Sequence, residues 1–164
     1  MVTLIHREFT VVVPLQTAWY HLARIEQWPS WARHIKQIDL HPPGELGPTS
    51  SGVLHLTNGM KPTFRVTEFN PPRSWKWVGS FLWCTVLYDH RFESLDPEHT
   101  KLIFIVEAKG FGASILGRLF AWIYRRNLER AIPLLIAEME NQESGTRSEE
   151  SATRTQRNLL TPNP

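Results

Sequence analysis

His90, Tyr88 and Glu68 are the side chains in this sequence best placed to move a proton. Alternation along Thr85 to Leu95 sets Val86, Tyr88, His90 and Phe92 on one face of a strand, with Leu87, Asp89, Arg91 and Glu93 on the other. An imidazole in otherwise apolar surroundings exchanges a proton near neutral pH, as a ring-closing or dehydrating reaction requires. The plainer reading is that His90 hydrogen-bonds a ligand oxygen or a neighbouring backbone group, the usual fate of buried polar groups. Glu68 shares the parity of Phe64 and Val66. Facing inward, it needs a partner such as His90 or Arg73, and with His90 it forms the best acid–base pair available. Carboxylates are seldom buried, so an outward or rim position is the more ordinary reading.

The surroundings of these groups are aromatic. Trp75 and Trp77 flank Lys76 and share one face, with Trp83 a candidate to join them, and the chain holds seven Trp and eight Phe. Such rings either line a cavity for flat or ring-containing molecules or simply fill a core. The candidate ligand-binding walls are Phe64, Val66, Trp75, Trp77, Trp83, Tyr88, His90, Phe92, Phe104, Val106, Phe120 and Ile123.

The elements that must position them follow from periodicity. Thr3 to Val13 alternates and ends at Pro14, with Ile5, Phe9, Val11 and Val13 on one side. Thr17 to His34 reads as one or two short helices, interrupted at Pro29. Strands follow at Ile35 to Leu40, Gly52 to Leu56, Thr63 to Phe69, Ser74 to Val78, Thr85 to Leu95 and Thr100 to Lys109. Asn58-Gly59 marks a hairpin, because both residues tolerate positive φ. Beyond Gly112 the apolar period becomes helical through Leu116, Leu119, Phe120, Ile123, Leu128, Ala131, Leu135 and Met139, with Pro133 expected to kink the helix or free one carbonyl. From Gln142 onward the residues are almost wholly polar, which reads as a disordered tail over 142–164 after a domain of 1–141. The expected architecture is α+β: a curved antiparallel sheet of six or seven strands, two short helices, and one long C-terminal helix covering the sheet's apolar face. Where a bent sheet and a straight helix part, a pocket remains between them.

Several function classes find no support in the composition. A net charge of +2 with no concentrated basic face gives no footprint for nucleic acid. The single Cys84 permits neither an intrachain disulfide nor a multi-cysteine metal site, and His34, His41 and His55 sit on separate elements without zinc spacing. Gly110-Phe111-Gly112 lacks the Lys-Ser/Thr ending of a phosphate loop, so no metal and no cofactor is expected. The Met1 to Glu8 segment carries His6, Arg7 and Glu8 in place of an apolar signal core, and the Phe111 to Tyr124 stretch is too short to span a bilayer, so the expected location is the cytoplasm. Arg118, Arg125, Arg126 and Arg130 give the long helix a basic surface, suited to peripheral contact with anionic lipid or simply solvated and partly paired with Glu129.

Four stretches resemble a known superfamily. They are Val13-Pro14-Leu15-Gln16-Thr17-Ala18-Trp19; Trp28-Pro29-Ser30-Trp31; Phe69-Asn70-Pro71-Pro72-Arg73-Ser74-Trp75-Lys76-Trp77; and His90-Arg91-Phe92 followed by Thr100-Lys101-Leu102 and Glu107-Ala108-Lys109-Gly110. In this order they resemble the superfamily of START-related lipid-transfer domains, polyketide cyclases and the birch-pollen allergen (SRPBCC), over about Thr3 to Asn141. The resemblance implies the helix-grip fold with an internal cavity and no particular reaction, since its members include carriers, cyclases and dehydratases. The expected function is therefore binding, as carriage or sequestration, of a hydrophobic or aromatic small molecule or lipid. One alternative is a cyclase/dehydratase-like enzyme without metal, using His90 with Tyr88 or Glu68. Another is a module that binds a macromolecular partner.

Overall fold

Strand β1 (Val2–Val11) leads through Pro14 into helix α1 (Leu15–Ala23), and a 3₁₀ turn (Ile25–Ser30) then carries the chain to β2 (Ile35–His41). Five further strands follow: β3 (Ser51–Leu56), β4 (Thr63–Asn70), β5 (Ser74–Phe81), β6 (Cys84–Asp96) and β7 (His99–Lys109). The long helix α2 (Leu116–Leu160) closes the chain. This computed structural model describes residues 1–81, 84–109 and 116–160. Trp83 and the Gly110-Phe111-Gly112 corner lie outside the described residues.

The seven strands form one sheet in the order β1-β7-β6-β5-β4-β3-β2, every neighbouring pair antiparallel. Each strand from β2 to β7 pairs with its sequence neighbour, the short-range route antiparallel strands allow. Only β1 closes a distant pairing, with β7. Because α1 and the 3₁₀ turn bridge the two sheet edges, the sheet is gripped around α2 in the helix-grip arrangement.

The core is unevenly filled. On α2, Leu128, Ala131, Leu135 and Met139 recur at spacings of three and four and are buried against the sheet. Trp19 of α1 packs edge-on to Trp75 at 5.1 Å and to Phe92 at 5.2 Å. Polar contacts fix the same half of α2 in place. Arg7 of β1 reaches Glu129 at 3.0 Å, the Val12 amide donates to Glu140 at 3.0 Å, and the buried His21 ring meets Gln142 at 2.9 Å and Glu138 at 3.2 Å.

Two expectations look different in three dimensions. The stretch from Gln142, read from sequence as a disordered tail, continues as α2 to Leu160. Its beginning is tied to the body, with Thr17 donating to Glu143 at 3.1 Å and Arg147 reaching both Glu143 and Glu98. Ser144, Thr146, Ser148 and Thr153 turn their hydroxyls onto carbonyls four residues back, so these polar side chains satisfy themselves within the helix. The second concerns Glu68, whose pairing with His90 required an inward position. A β-bulge leaves Thr67 unpaired between Val66↔Trp77 and Glu68↔Lys76. One extra residue reverses the parity of everything after it. Phe69 therefore turns inward to pack on Trp19, while Glu68 points outward and pairs with Lys76 at 2.8 Å.

Candidate functional site

Where α2 begins, sheet and helix no longer meet. Strands β3 and β4 pair from Ser51↔Arg65 to Val53↔Thr63, and backbone hydrogen bonds carry the hairpin on to a turn closed by the Gly59 amide donating to the Leu56 carbonyl at 3.0 Å. Gly59 takes φ 87°, the Leu54 amide donates to the Pro62 carbonyl at 2.9 Å, and the Leu56 amide donates to that of Met60 at 2.9 Å. A cavity of about 340 Å³ lies between this hairpin, β5 and β6 and the first turns of α2. Gly52, within the paired part, has no room for a side chain: a methyl there would collide with the Asp39 carbonyl oxygen and come within 2.7 Å of the Phe64 ring, which lies at the cavity's edge.

The wall is an almost continuous belt of rings. Phe120 and Tyr124, one helical turn apart, stack at 5.5 Å, and Tyr124 meets Tyr88 of β6 at 5.8 Å. Tyr88 lies 6.1 Å from Trp77 of β5, which touches Phe64 of β4 at 4.8 Å and Trp28 at 5.4 Å. Leu54 and Leu56 of β3, Met60 and Pro62 of the loop, and Ile123 of α2 complete the apolar surface. Polar side chains enter at few points, from His34, Thr57, Asn58, Thr63, Ser80 and Asn127 and the two tyrosines. Burial pushes both phenols up, Tyr88 further through its neighbour Tyr124, so both stay neutral and can hydrogen-bond. Burial also pushes the His34 imidazole down, which keeps it uncharged at neutral pH.

Of the residues singled out from sequence, Phe64, Trp77, Tyr88, Phe120 and Ile123 line this cavity. Val66, Trp75, His90, Phe92, Phe104 and Val106 do not; they are buried in the packed half of the core. The His90 ring stacks on Trp75 at 4.9 Å and is enclosed by Trp77 at 5.0 Å, Phe104 at 5.1 Å and Trp28 at 5.9 Å. Its Nδ1 has no hydrogen-bond partner among the described residues, and burial lowers its pKa to about 3. Glu68, on the outer face, cannot approach it. The structure therefore does not bring the His90, Glu68 and Tyr88 set together.

Tyr124, Trp28 and His34 are wall residues absent from the sequence-based set. Tyr124 was signalled by its position four residues after Phe120, whose face it must share on a helix. Trp28 is presented by the 3₁₀ turn, its indole N–H donating to the Leu22 carbonyl at 2.9 Å. No three His, Cys, Asp or Glu side chains come together as a metal site among the described residues. His55 instead pairs with Asp39 at 2.7 Å. Among the described residues no helix is long and apolar enough to cross a membrane.

Comparison with known proteins agrees with this geometry. The aromatase/cyclase Zhui from Streptomyces sp. R1128 superposes with a TM-score of 0.63 at 17% identity, covering 84% of this chain and 93% of that one. A START superfamily protein from Mycobacterium smegmatis gives 0.67 at 15% identity, covering 84% and 97%. Ara h 8.0201 gives 0.66 at 14%, covering 82% and 95%. At these identities the likeness is one of fold. No curated protein matches at the sequence level. The family model described as polyketide cyclase / dehydrase and lipid transport matches residues 3–133, spanning every strand and the part of α2 that roofs the cavity. The chain belongs to this polyketide cyclase / dehydrase and lipid transport family, within the SRPBCC superfamily.

Proposed function

We propose that this protein binds a small, largely apolar molecule in the cavity between β3–β6 and the first turns of α2, and that it acts as a carrier or store for it. The carrying observation is the belt from Phe120 through Tyr124, Tyr88 and Trp77 to Phe64 around about 340 Å³. That volume falls at the lower end of the roughly 300–1,000 Å³ of ligand pockets, whose walls are likewise apolar with a few orienting polar groups. Binding is favoured over His90-centred catalysis because an imidazole with a pKa near 3 holds almost no proton at neutral pH and is too weak a base to take one. Native mass spectrometry of the purified protein is expected to show a retained hydrophobe, or uptake of added N-phenyl-1-naphthylamine with one-to-one stoichiometry. A protein that arrives empty and takes up none of this probe refutes the reading.

A second feature bears on how such a ligand is delivered. Trp122 is 62% exposed and Leu119 55%, and Ile123, 43% exposed, also lines the cavity. Arg126 lies 5.9 Å over the Trp122 ring, with Arg118 and Arg125 near in sequence. Exposed apolar residues among arginines suit the surface of an anionic membrane, next to which the cavity would open. Trp122→Glu is expected to abolish co-sedimentation with phosphatidylserine-containing vesicles while leaving probe binding intact. Equal sedimentation of both proteins argues against membrane delivery.

A further inference from the structure

A second recess, of about 230 Å³, adjoins the aromatic cavity and shares His34, Thr57 and Asn127 with it. Its remaining walls are Trp31, Arg33, Arg130 and Ala131. The two spaces thus meet across three polar residues, and they differ in character. One is a belt of rings; the other has two arginines in its wall.

Three observations describe these arginines. Arg33 directly precedes β2 and Arg130 lies on α2, so two elements far apart in sequence bring like charges to one recess. No carboxylate is among the residues of its wall. Among the described residues neither arginine has an ion pair or a side-chain hydrogen bond, as is also true of Arg24, Arg65, Arg73, Arg118 and Arg125, and both are exposed; Arg7, Arg91 and Arg147 by contrast each hold a carboxylate. Two cations facing one small space repel each other, and an anion between them relieves the repulsion. Guanidinium groups also grip a carboxylate by two parallel N–H donors, with directional strength that a single point charge lacks.

His34, Thr57 and Asn127 form the boundary between the two spaces. Thr57 donates to the His34 carbonyl from its amide at 3.0 Å and from its hydroxyl at 3.3 Å, which fixes the loop to the start of β2. The Asn127 amide, one turn of α2 before Arg130, offers a further donor at the junction.

We infer that the ligand is an amphipathic anion, its apolar body in the aromatic cavity and its single carboxylate-like group held between Arg33 and Arg130. This rests on the binding reading above and adds the chemical class of the ligand.

The test is competition against N-phenyl-1-naphthylamine, a neutral probe, by dodecanoate and by 1-dodecanol, which share one alkyl chain and differ in charge. Dodecanoate is expected to displace the probe at a concentration roughly tenfold or more below that of the alcohol, the scale of a charge-assisted hydrogen bond. In the Arg33→Gln/Arg130→Gln variant, checked for folding by circular dichroism, the two competitors should become equal and the alcohol should compete as it does in the wild type. Equal displacement in the wild type overturns the anionic ligand but leaves the cavity reading standing. A preference for dodecanoate that survives in the variant overturns the assignment to these arginines. If the probe does not bind the wild type at all, the cavity reading itself fails and this inference falls with it.

Discussion

Between pH 6.5 and 4.5 the wild-type domain is expected to lose about 2 kcal/mol of stability through His90 alone, and His90→Phe to abolish that loss. The imidazole is enclosed by Trp28, Trp75, Trp77 and Phe104, and burial lowers its pKa from 6.5 to about 3. The unfolded chain takes up a proton below about pH 6.5 that the folded chain refuses until near pH 3. The contribution is therefore fully present above the unfolded value and drains away as pH falls toward the folded one. Phenylalanine retains a ring against Trp75 and removes both the titrating group and the unpartnered Nδ1. His34, also lowered by burial, leaves the variant a shallower residual slope. Urea unfolding at a series of pH values reads the difference. Parallel slopes for wild type and variant would show that His90 is solvated.

Filling the cavity gives the second large effect. Leu54→Trp combined with Ile123→Phe places two bulky rings in a space of about 340 Å³. Probe affinity should fall on the order of a hundredfold or more, since a ligand cannot share volume with side chains packed to interior density. Both positions are incompletely buried and face the void, so stability should change by no more than about 1 kcal/mol. Leu135→Ala is the converse control. That side chain is fully buried in the packed half of the core. Its truncation should cost roughly 2–5 kcal/mol and leave affinity unchanged. The pair separates a loss of binding from a loss of fold, and fluorescence titration with chemical denaturation measures both.

Much of this architecture can be read directly from residue order. Alternation located all seven strands because one face of the sheet is buried, and the change from period two to helical spacing located α2. Three features lay beyond such patterns. The bulge at Thr67 is set by pairing with β5, and nothing local in Thr67 announces it, so alternation alone could not fix the face of Glu68, which takes the outward position more ordinary for a carboxylate. The helix beyond Asn141 depends on partners distant in sequence, His21, Thr17 and Glu98, that compensate for its polar composition. The cavity depends on where packing fails rather than where it succeeds. Tyr88 and His90 share one face of β6, yet only Tyr88 lines the opening, because Trp28 and Trp77 cover His90. Alternation gives the face of a strand but not the position along it where helix and sheet part. His34 and Trp28 come from an irregular segment with no period to read.

The position of the bound molecule distinguishes a cavity site from one centred on His90. Indole N–H resonances provide the most direct measure, since Trp28 and Trp77 belong to the cavity wall and Trp75 is fully buried against His90 on the other side of them. On titration with N-phenyl-1-naphthylamine, ¹H–¹⁵N spectra should show the Trp28 and Trp77 indoles shifting strongly while those of Trp75 and Trp19 stay in place. Shifts confined to Trp75 and Trp19, or no indole shift at saturating probe, would contradict a ligand site beneath the first turns of α2.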